Sequence, residues 1–247
     1  MQAPTRRILR LIGADTREFL QGLITNDIAR IDAGLVYAAI LTPQGKYMAD
    51  FFLGADGDDV LLDANAAQAE MLAQRLGMYK LRADVQIEMT DLHVHRGIDE
   101  LPSDAFADPR HDRLGWRAYR STAQEVDTTD WDALYVAHMI PQTGVELSPD
   151  TFILEVGFER LNGVDFRKGC YVGQEVTARM KHKTELRKGL AKVSIAGDAP
   201  TGTAITADGK PAGTLLTRSG NDALAYLRYD RATDVMDADG SAVTRTA

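Results

Sequence analysis

The residues whose types and spacing could do chemistry are Lys168-Gly169-Cys170-Tyr171-Val172-Gly173-Gln174-Glu175. Cys170 is the single cysteine of the chain, so it acts alone or with a partner molecule; an internal disulfide framework and a C-x-x-C metal site are both excluded. Gly169 and Gly173 flank it, and from Gln174 the pattern turns helical, with Glu175 and Arg179 one turn apart. The cysteine is therefore expected just before a helix. There the amino-terminal partial charge and the ammonium of Lys168 would favour the thiolate, the form that attacks an electrophile or ligates a metal or cluster. The plain alternative is a small buried hydrophobe. One thiol cannot hold a cluster by itself, so the remaining ligands would come from glutathione, a second protomer or a carrier protein.

The elements that must position this segment divide the 247 residues in two. The first part alternates strands and helices. A strand at residues 8–12 leads through Gly13 into a capping box, Asp15 to Glu18. A hairpin follows, its arms at Val36 to Leu41 and Tyr47 to Leu53 around Pro43-Gln44-Gly45. Asn65 caps a helix through about Leu76, and residues 82–89 alternate as a half-buried strand. Pro102 to Asp112 reads as a loop, Trp116 to Arg120 as a strand, Trp131 to Met139 as a helix stopped by Pro141, and Phe152 to Leu161 as one more helical stretch. From Lys188 onward short alternating runs separated by glycines predict a small antiparallel β-barrel. The boundary falls near Arg187, giving domains at residues 1–186 and 187–247.

Charge bounds the partners. The chain carries a net -8, which argues against direct nucleic-acid binding. Between residues 160 and 188, however, eight cations (Arg160, Arg167, Lys168, Arg179, Lys181, Lys183, Arg187, Lys188) stand against Asp165, Glu175 and Glu185, a local +5 that would attract an anion. No apolar run is long enough for a membrane span, and residues 1–12 hold three arginines without a signal-peptide core, so the expectation is a cytoplasmic protein. His93 and His95 share a strand face but are two ligands short of a metal site; His182 reads as an exposed side chain, and Trp116, Trp131 and Tyr171 as core or pocket walls. Nothing supports nucleotide hydrolysis or hydride transfer, since no phosphate-binding loop, dinucleotide fingerprint or Ser-His-Asp arrangement is present.

The run from Leu161-Asn162-Gly163-Val164-Asp165-Phe166-Arg167 through the cysteine motif to Val176-Thr177-Ala178-Arg179 resembles the K-G-C-Y-x-G-Q-E signature of the YgfZ family, in the glycine-cleavage T-protein superfamily. The continuation through Arg187-Lys188 is most similar to its mitochondrial iron-sulfur assembly branch. Upstream, Gly13-Ala14-Asp15, Phe19-Leu20-Gln21-Gly22, Thr25-Asn26-Asp27 and Gly45-Lys46 resemble the family's opening motif and first hairpin. The resemblance implies an α+β fold: a two-lobed folate-binding module with ferredoxin-like lobes, then the small antiparallel β-barrel, around a central channel. It implies that tetrahydrofolate or a derivative binds, with Asp50 on the strand that carries the T-protein's catalytic aspartate and Glu155 as the family's glutamate. It further implies a role in assembling, maturing or repairing iron-sulfur proteins, with carrier or client proteins as partners, a transient cluster shared through Cys170, and an effect on iron-sulfur enzymes that modify tRNA. Two alternatives stand beside it: a folate-dependent aminomethyl or methyl transferase using Asp50, and a folate-binding scaffold without chemistry. The chain departs from the family pattern at Tyr135, Gln142 and Ile153, where Arg, Glu and Pro are usual.

Overall fold

The computed structural model describes residues 6–125, 127–183 and 185–246, with Lys183 described by its backbone alone. Part of the stretch read for a leader, residues 1–5, lies outside the described residues. The chain forms two compact units: a sheet unit, built from the chain up to Thr129 plus Glu159–Val176, and a barrel unit, built from Asp130–Phe158 plus the chain from Thr177 on.

In the sheet unit, strands β1 (Arg6–Ile12), β2 (Val36–Leu41), β3 (Tyr47–Asp56), β4 (Asp59–Asn65) and β5 (Gln86–Met89) make an antiparallel sheet ordered β2-β3-β4-β1-β5. Period-two alternation gives it two unlike faces. Val36, Ala38, Ile40, Ala49, Phe51, Leu53, Leu62 and Leu9 enter one apolar core with Leu20 of helix α1 (Thr16–Gln21) and Leu72 and Leu76 of helix α2 (Ala66–Tyr79). Burying such a Leu or Phe contributes roughly 1.5–3 kcal/mol each. The opposite face carries Tyr37, Asp50, Phe52 and Asp63, all buried. It is covered by strand β8 (Trp116–Arg120), which belongs to a three-stranded sheet with β6 (His93–Gly97) and β7 (Phe106–Ala107) in the order β6-β8-β7.

Asn65 caps α2 as its sequence position predicts, accepting from the Ala67 amide. Asp15 does not complete the expected capping box: its carboxylate accepts instead from the Asp84 amide, tying the start of α1 to the approach to β5. The helical stretch expected over residues 152–161 is a single 3-10 turn, Ile153–Val156, because Gly157 at φ 82° ends it.

The barrel unit holds helix α3 (Trp131–His138) and, from Thr177 on, the larger part of helix α4 (Gln174–Lys183). Its barrel is made of β9 (Lys188–Ala196), β10 (Ala204–Ala207), β11 (Lys210–Ser219), β12 (Asp222–Arg228), β13 (Met236–Ala238) and β14 (Ser241–Arg245). The order β10-β11-β12-β9-β14-β13 closes because β13 pairs with β10, so no strand edge is left open. Alternate residues of β9, Ala191, Val193 and Ile195, fill its core with Ile205, Leu215, Leu227 and Val243. Where the β11 register shifts, Thr217 finds its partner outside the ladder: its amide and hydroxyl both donate to the carboxylate of Glu146, at 3.0 and 2.6 Å. Among the described residues no helix is long and apolar enough to cross a membrane.

Candidate functional site: an exposed cysteine on an anchored loop

Cys170 is exposed, on irregular backbone four residues before α4 begins at Gln174. The loop that carries it is held on both sides. On the amino-terminal side, Lys168 is buried and its ammonium donates to three carbonyl oxygens, those of Gln21, Ile24 and Asn26, at 2.7, 2.6 and 2.9 Å. Gln21 is the last residue of α1, so the ammonium satisfies carbonyls left over at a helix end, where a cation is favoured. Burial pushes this ammonium down to about 8, with Asp27 and Asp165 opposing. Its nitrogen also lies 5.1 Å from the centre of the Tyr171 ring.

The placement gives Lys168 a structural partner set that its position beside Cys170 did not announce. An ammonium has three N–H groups, and all three are spent on backbone oxygens.

The preceding residues add to the same attachment. The Thr25 hydroxyl donates to the Gly163 carbonyl at 2.7 Å, the Asn26 amide group to the Asn162 carbonyl at 2.6 Å, and the Asp165 amide to the Thr25 carbonyl at 3.0 Å. Asp165 pairs with Arg30 and caps the Arg167 amide. The Thr25-Asn26-Asp27 turn and the segment 162–168, separate motifs in the sequence, are thus one folded object.

On the carboxy-terminal side, Gly173 has φ 83° and lies against the β2–β3 turn. A Cβ there would fall 2.7 Å from the Thr42 carbonyl oxygen and 2.9 Å from the Leu41 Cβ, so only glycine allows the approach. The reciprocal residue is Gly45, φ 74°, whose added Cβ would lie 2.8 Å from the Val176 Cβ. Gly169, by contrast, faces open space. Tyr171 is buried, the Gln174 amide donates to the Tyr171 carbonyl at 3.2 Å, and Glu175 and Arg179 lie exposed along α4.

Asp50 is buried in the sheet unit on the polar face of β3, with the Tyr47 hydroxyl donating to one oxygen at 2.7 Å and the Tyr37 hydroxyl to the other at 3.0 Å. Burial and the Asp50 charge push the Tyr37 phenol well up, so it remains a donor. Beside them is a feature sequence reasoning missed: three guanidiniums, Arg110 and Arg117 buried and Arg6 part-buried, balance Asp50, Asp63 and Asp108. Arg6 binds Asp63 at 2.6 Å, Arg117 bridges Asp63 and Asp108 at 3.2 Å each, and Arg110 binds Asp108 at 2.8 Å. The Arg117 guanidinium lies 4.0 Å from the Phe52 ring centre and Arg110 4.8 Å. Burial pushes the Asp108 carboxyl up, but Arg110 and Arg117 more than offset it and hold it at about 2. The only sequence signal was charge at positions otherwise flanked by apolar strand residues, as in Asp63.

In the barrel unit Glu155 is buried and accepts from the Tyr226 hydroxyl, whose phenol is pushed well up by burial and by that carboxylate. The Lys188 ammonium stands 3.8 Å from the other oxygen. A cavity of about 320 Å³ opens there, lined by Glu155, Met180, Leu186, Arg187, Lys188 and Arg228. An apolar wall with one carboxylate and three cations suits a small amphipathic anion bearing an N–H donor. His95 does not form half of a metal pair: its Nε2 is 2.6 Å from the Thr122 carbonyl and its Nδ1 3.3 Å from Arg120. Among the described residues no group of three or more His, Cys, Asp or Glu is placed to hold a metal ion.

Comparison with known proteins fits these features. Residues 187–247 match the family described as CAF17, C-terminal beta-barrel domain. The mitochondrial iron-sulfur cluster assembly factor IBA57 of Mus musculus is 30% identical over 272 residues, covering 91% of this chain and 76% of its own length. The IBA57 homolog of Mycosarcoma maydis is 32% identical over 81% of this chain, which spans just over half, 58%, of that longer protein. The glycine cleavage system aminomethyltransferase T of Bartonella henselae shares the fold, with TM-score 0.77 at 14% identity over 98% of this chain and 82% of its own. Both IBA57 relatives, like the human protein at 29% identity, are named as mitochondrial, which overturns the expectation of a cytoplasmic protein. On relatedness across most of its length and on its carboxy-terminal barrel, the chain belongs to the IBA57 family, and it shares the fold of the glycine cleavage aminomethyltransferase.

Proposed function

We propose that this chain supports the assembly, maturation or repair of iron-sulfur proteins, with the Cys170 thiolate as one ligand of a transient cluster whose other ligands belong to a second molecule. The observation that carries the reading is the exposure of the chain's one thiol on a loop anchored at both ends, a geometry that presents a ligand outward rather than packing it. The relatives named as iron-sulfur cluster assembly factors support the process. Tetrahydrofolate or a derivative is the proposed small-molecule ligand, with Glu155 accepting a pterin N–H. Effects on tRNA-modifying iron-sulfur enzymes would follow from failed cluster delivery. The transferase alternative depends on Asp50 as an acid-base group, and its burial beneath two phenols counts against that role.

The test is complementation. In cells lacking the endogenous protein, Cys170→Ala is expected to fold normally and to fail to restore iron-sulfur enzyme activity. Full rescue by this variant would remove the proposed role. Titration of the purified protein with tetrahydrofolate, with Glu155→Gln beside it, tests the ligand separately.

A further inference from the structure

We infer that Lys168 is a positioning residue for Cys170: seated in a cradle of three carbonyl oxygens, it fixes the near end of the cysteine loop while Gly173, packed on the β2–β3 turn, fixes the far end. The inference rests on the proposed function only for its consequence, not for its geometry. Three acceptors within 2.6–2.9 Å, contributed by Gln21, Ile24 and Asn26, match the three N–H groups of an ammonium in number. A neutral amine would turn a lone pair toward one of those oxygens, and an apolar side chain would leave all three unpaired in a buried place. The cradle is the carboxy-terminal end of α1 and the turn that follows it, so one side chain ties both of them to the start of the cysteine motif.

Between the two anchors the loop has slack in only one direction. Tyr171 is buried, whereas Gly169 meets nothing within 4 Å and Cys170 is exposed. The spacing of the motif follows from this. Lysine and the second glycine are the attachments, the first glycine gives the chain room to turn, and the sulfur is carried by the one exposed side chain between the buried Lys168 and the buried Tyr171. A ligand shared between two molecules gains from such preorganisation, because a loop already ordered loses less freedom when the cluster joins it.

The single cysteine makes the idea directly measurable. A nitroxide attached to Cys170 is the only thiol label in the chain, and its electron paramagnetic resonance line shape reports the motion of this loop. In the full-length protein the spectrum is expected to show a restrained component. Lys168→Ala should lose it, with the rotational correlation time falling severalfold, and Lys210→Ala, at the exposed start of β11, should not. Butylammonium, which can re-enter the cradle, is expected to restore the restrained component in Lys168→Ala, and butanol of the same length is not. A merely structural lysine would not give rescue that depends on the ammonium. If Lys168→Ala does not fold, Gly173→Ala releases the opposite end and is read in the same way. A folded variant of either kind with an unchanged line shape would overturn the inference, as would equal rescue by butanol.

Cluster formation is measured separately, by anaerobic reconstitution with glutathione as the outside thiol and visible circular dichroism as the readout. Lys168→Ala should lower the yield severalfold and Cys170→Ala should abolish it. If the unmodified protein forms no cluster, the proposed function fails, and the label spectra still decide the positioning role.

Discussion

Replacing Asp63 by Asn tests the buried charge network most sharply, because the change is isosteric and removes only a charge and one acceptor. Asp63 has no exposed side-chain surface and binds two guanidiniums through different oxygens, Arg6 at 2.6 Å and Arg117 at 3.2 Å. An amide accepts through one oxygen only, so its NH₂ group would face the other guanidinium, donor against donor. Arg117 keeps Asp108 at 3.2 Å, and Arg6 keeps the Asp63 carbonyl at 2.6 Å, so neither cation is wholly abandoned. The three-against-three balance becomes an excess of one buried positive charge. Breaking a buried pair from one side costs about 3–5 kcal/mol, and the retained bonds place this variant near the lower figure. With a urea slope of about 2 kcal/mol per M, the unfolding midpoint should fall by about 1.5 M. The assay has a built-in reporter: Trp116 lies in the sheet unit and Trp131 in the barrel unit, so fluorescence in a Trp131→Phe background follows the sheet unit alone. A midpoint shift below about 0.5 M, roughly 1 kcal/mol at that slope, would refute the claim that these charges depend on one another.

Three further outcomes follow from the same geometry. Asp108 is held at about 2 in the folded state against an ordinary 3.8, so its contribution is fully present above pH 4 and disappears as pH falls toward 2; acid titration of Trp116 fluorescence should show this loss, and Arg110→Met should flatten it. Glu146 has the opposite sign: burial raises its carboxyl above the ordinary 4.5, although Thr217 and the Gln142 amide pull it down, so its ionisation subtracts stability as pH rises from that value. Glu146→Gln removes the buried charge but turns its NH₂ group against the Gln142 amide, so it should cost about 1 kcal/mol at neutral pH, whereas Glu146→Leu, which strands the Thr217 and Gln142 donors together, should cost about 3 kcal/mol in calorimetry. Lys168→Met leaves three carbonyls without their ammonium and should lower stability by about 2–4 kcal/mol in urea melts, a loss that an exposed lysine such as Lys210 would not produce.

The elements that were legible in the sequence are those fixed by local rules. Asn65 announced the start of α2, the glycine-punctuated runs after Lys188 announced a barrel, and the glycines around Cys170 marked a loop before a helix. What could not be read depends on residues far apart in the chain. Lys168 next to Cys170 suggests electrostatic influence on the sulfur, and nothing local announces that its ammonium reaches oxygens 142 to 147 positions earlier. Asp15 and Glu18 have the spacing of a capping box, but an amide at Asp84 competes for the carboxylate and takes it. The Pro-, Asp- and Arg-rich stretch has the composition of a solvated loop, yet Asp108 and Arg110 within it are buried, because they pair with each other and with Arg117 on the polar face of the sheet. Composition reports the cost of burying a charge and is silent about the partner that offsets it.

The sheet unit is discontinuous: its own segment 159–176 arrives only after the chain has passed through residues 130–158. During synthesis the Thr25 turn therefore leaves the ribosome long before Gly163 and Lys168 exist to meet it, and the end of α1 waits with bare carbonyls for an ammonium 144 positions downstream of Ile24. A nascent chain halted at residue 158 should stay protease-sensitive around residues 21–27, and one released after residue 176 should not. The thiol becomes displayed only when that first half is sealed, so the sulfur emerges on a finished platform rather than on a wandering strand.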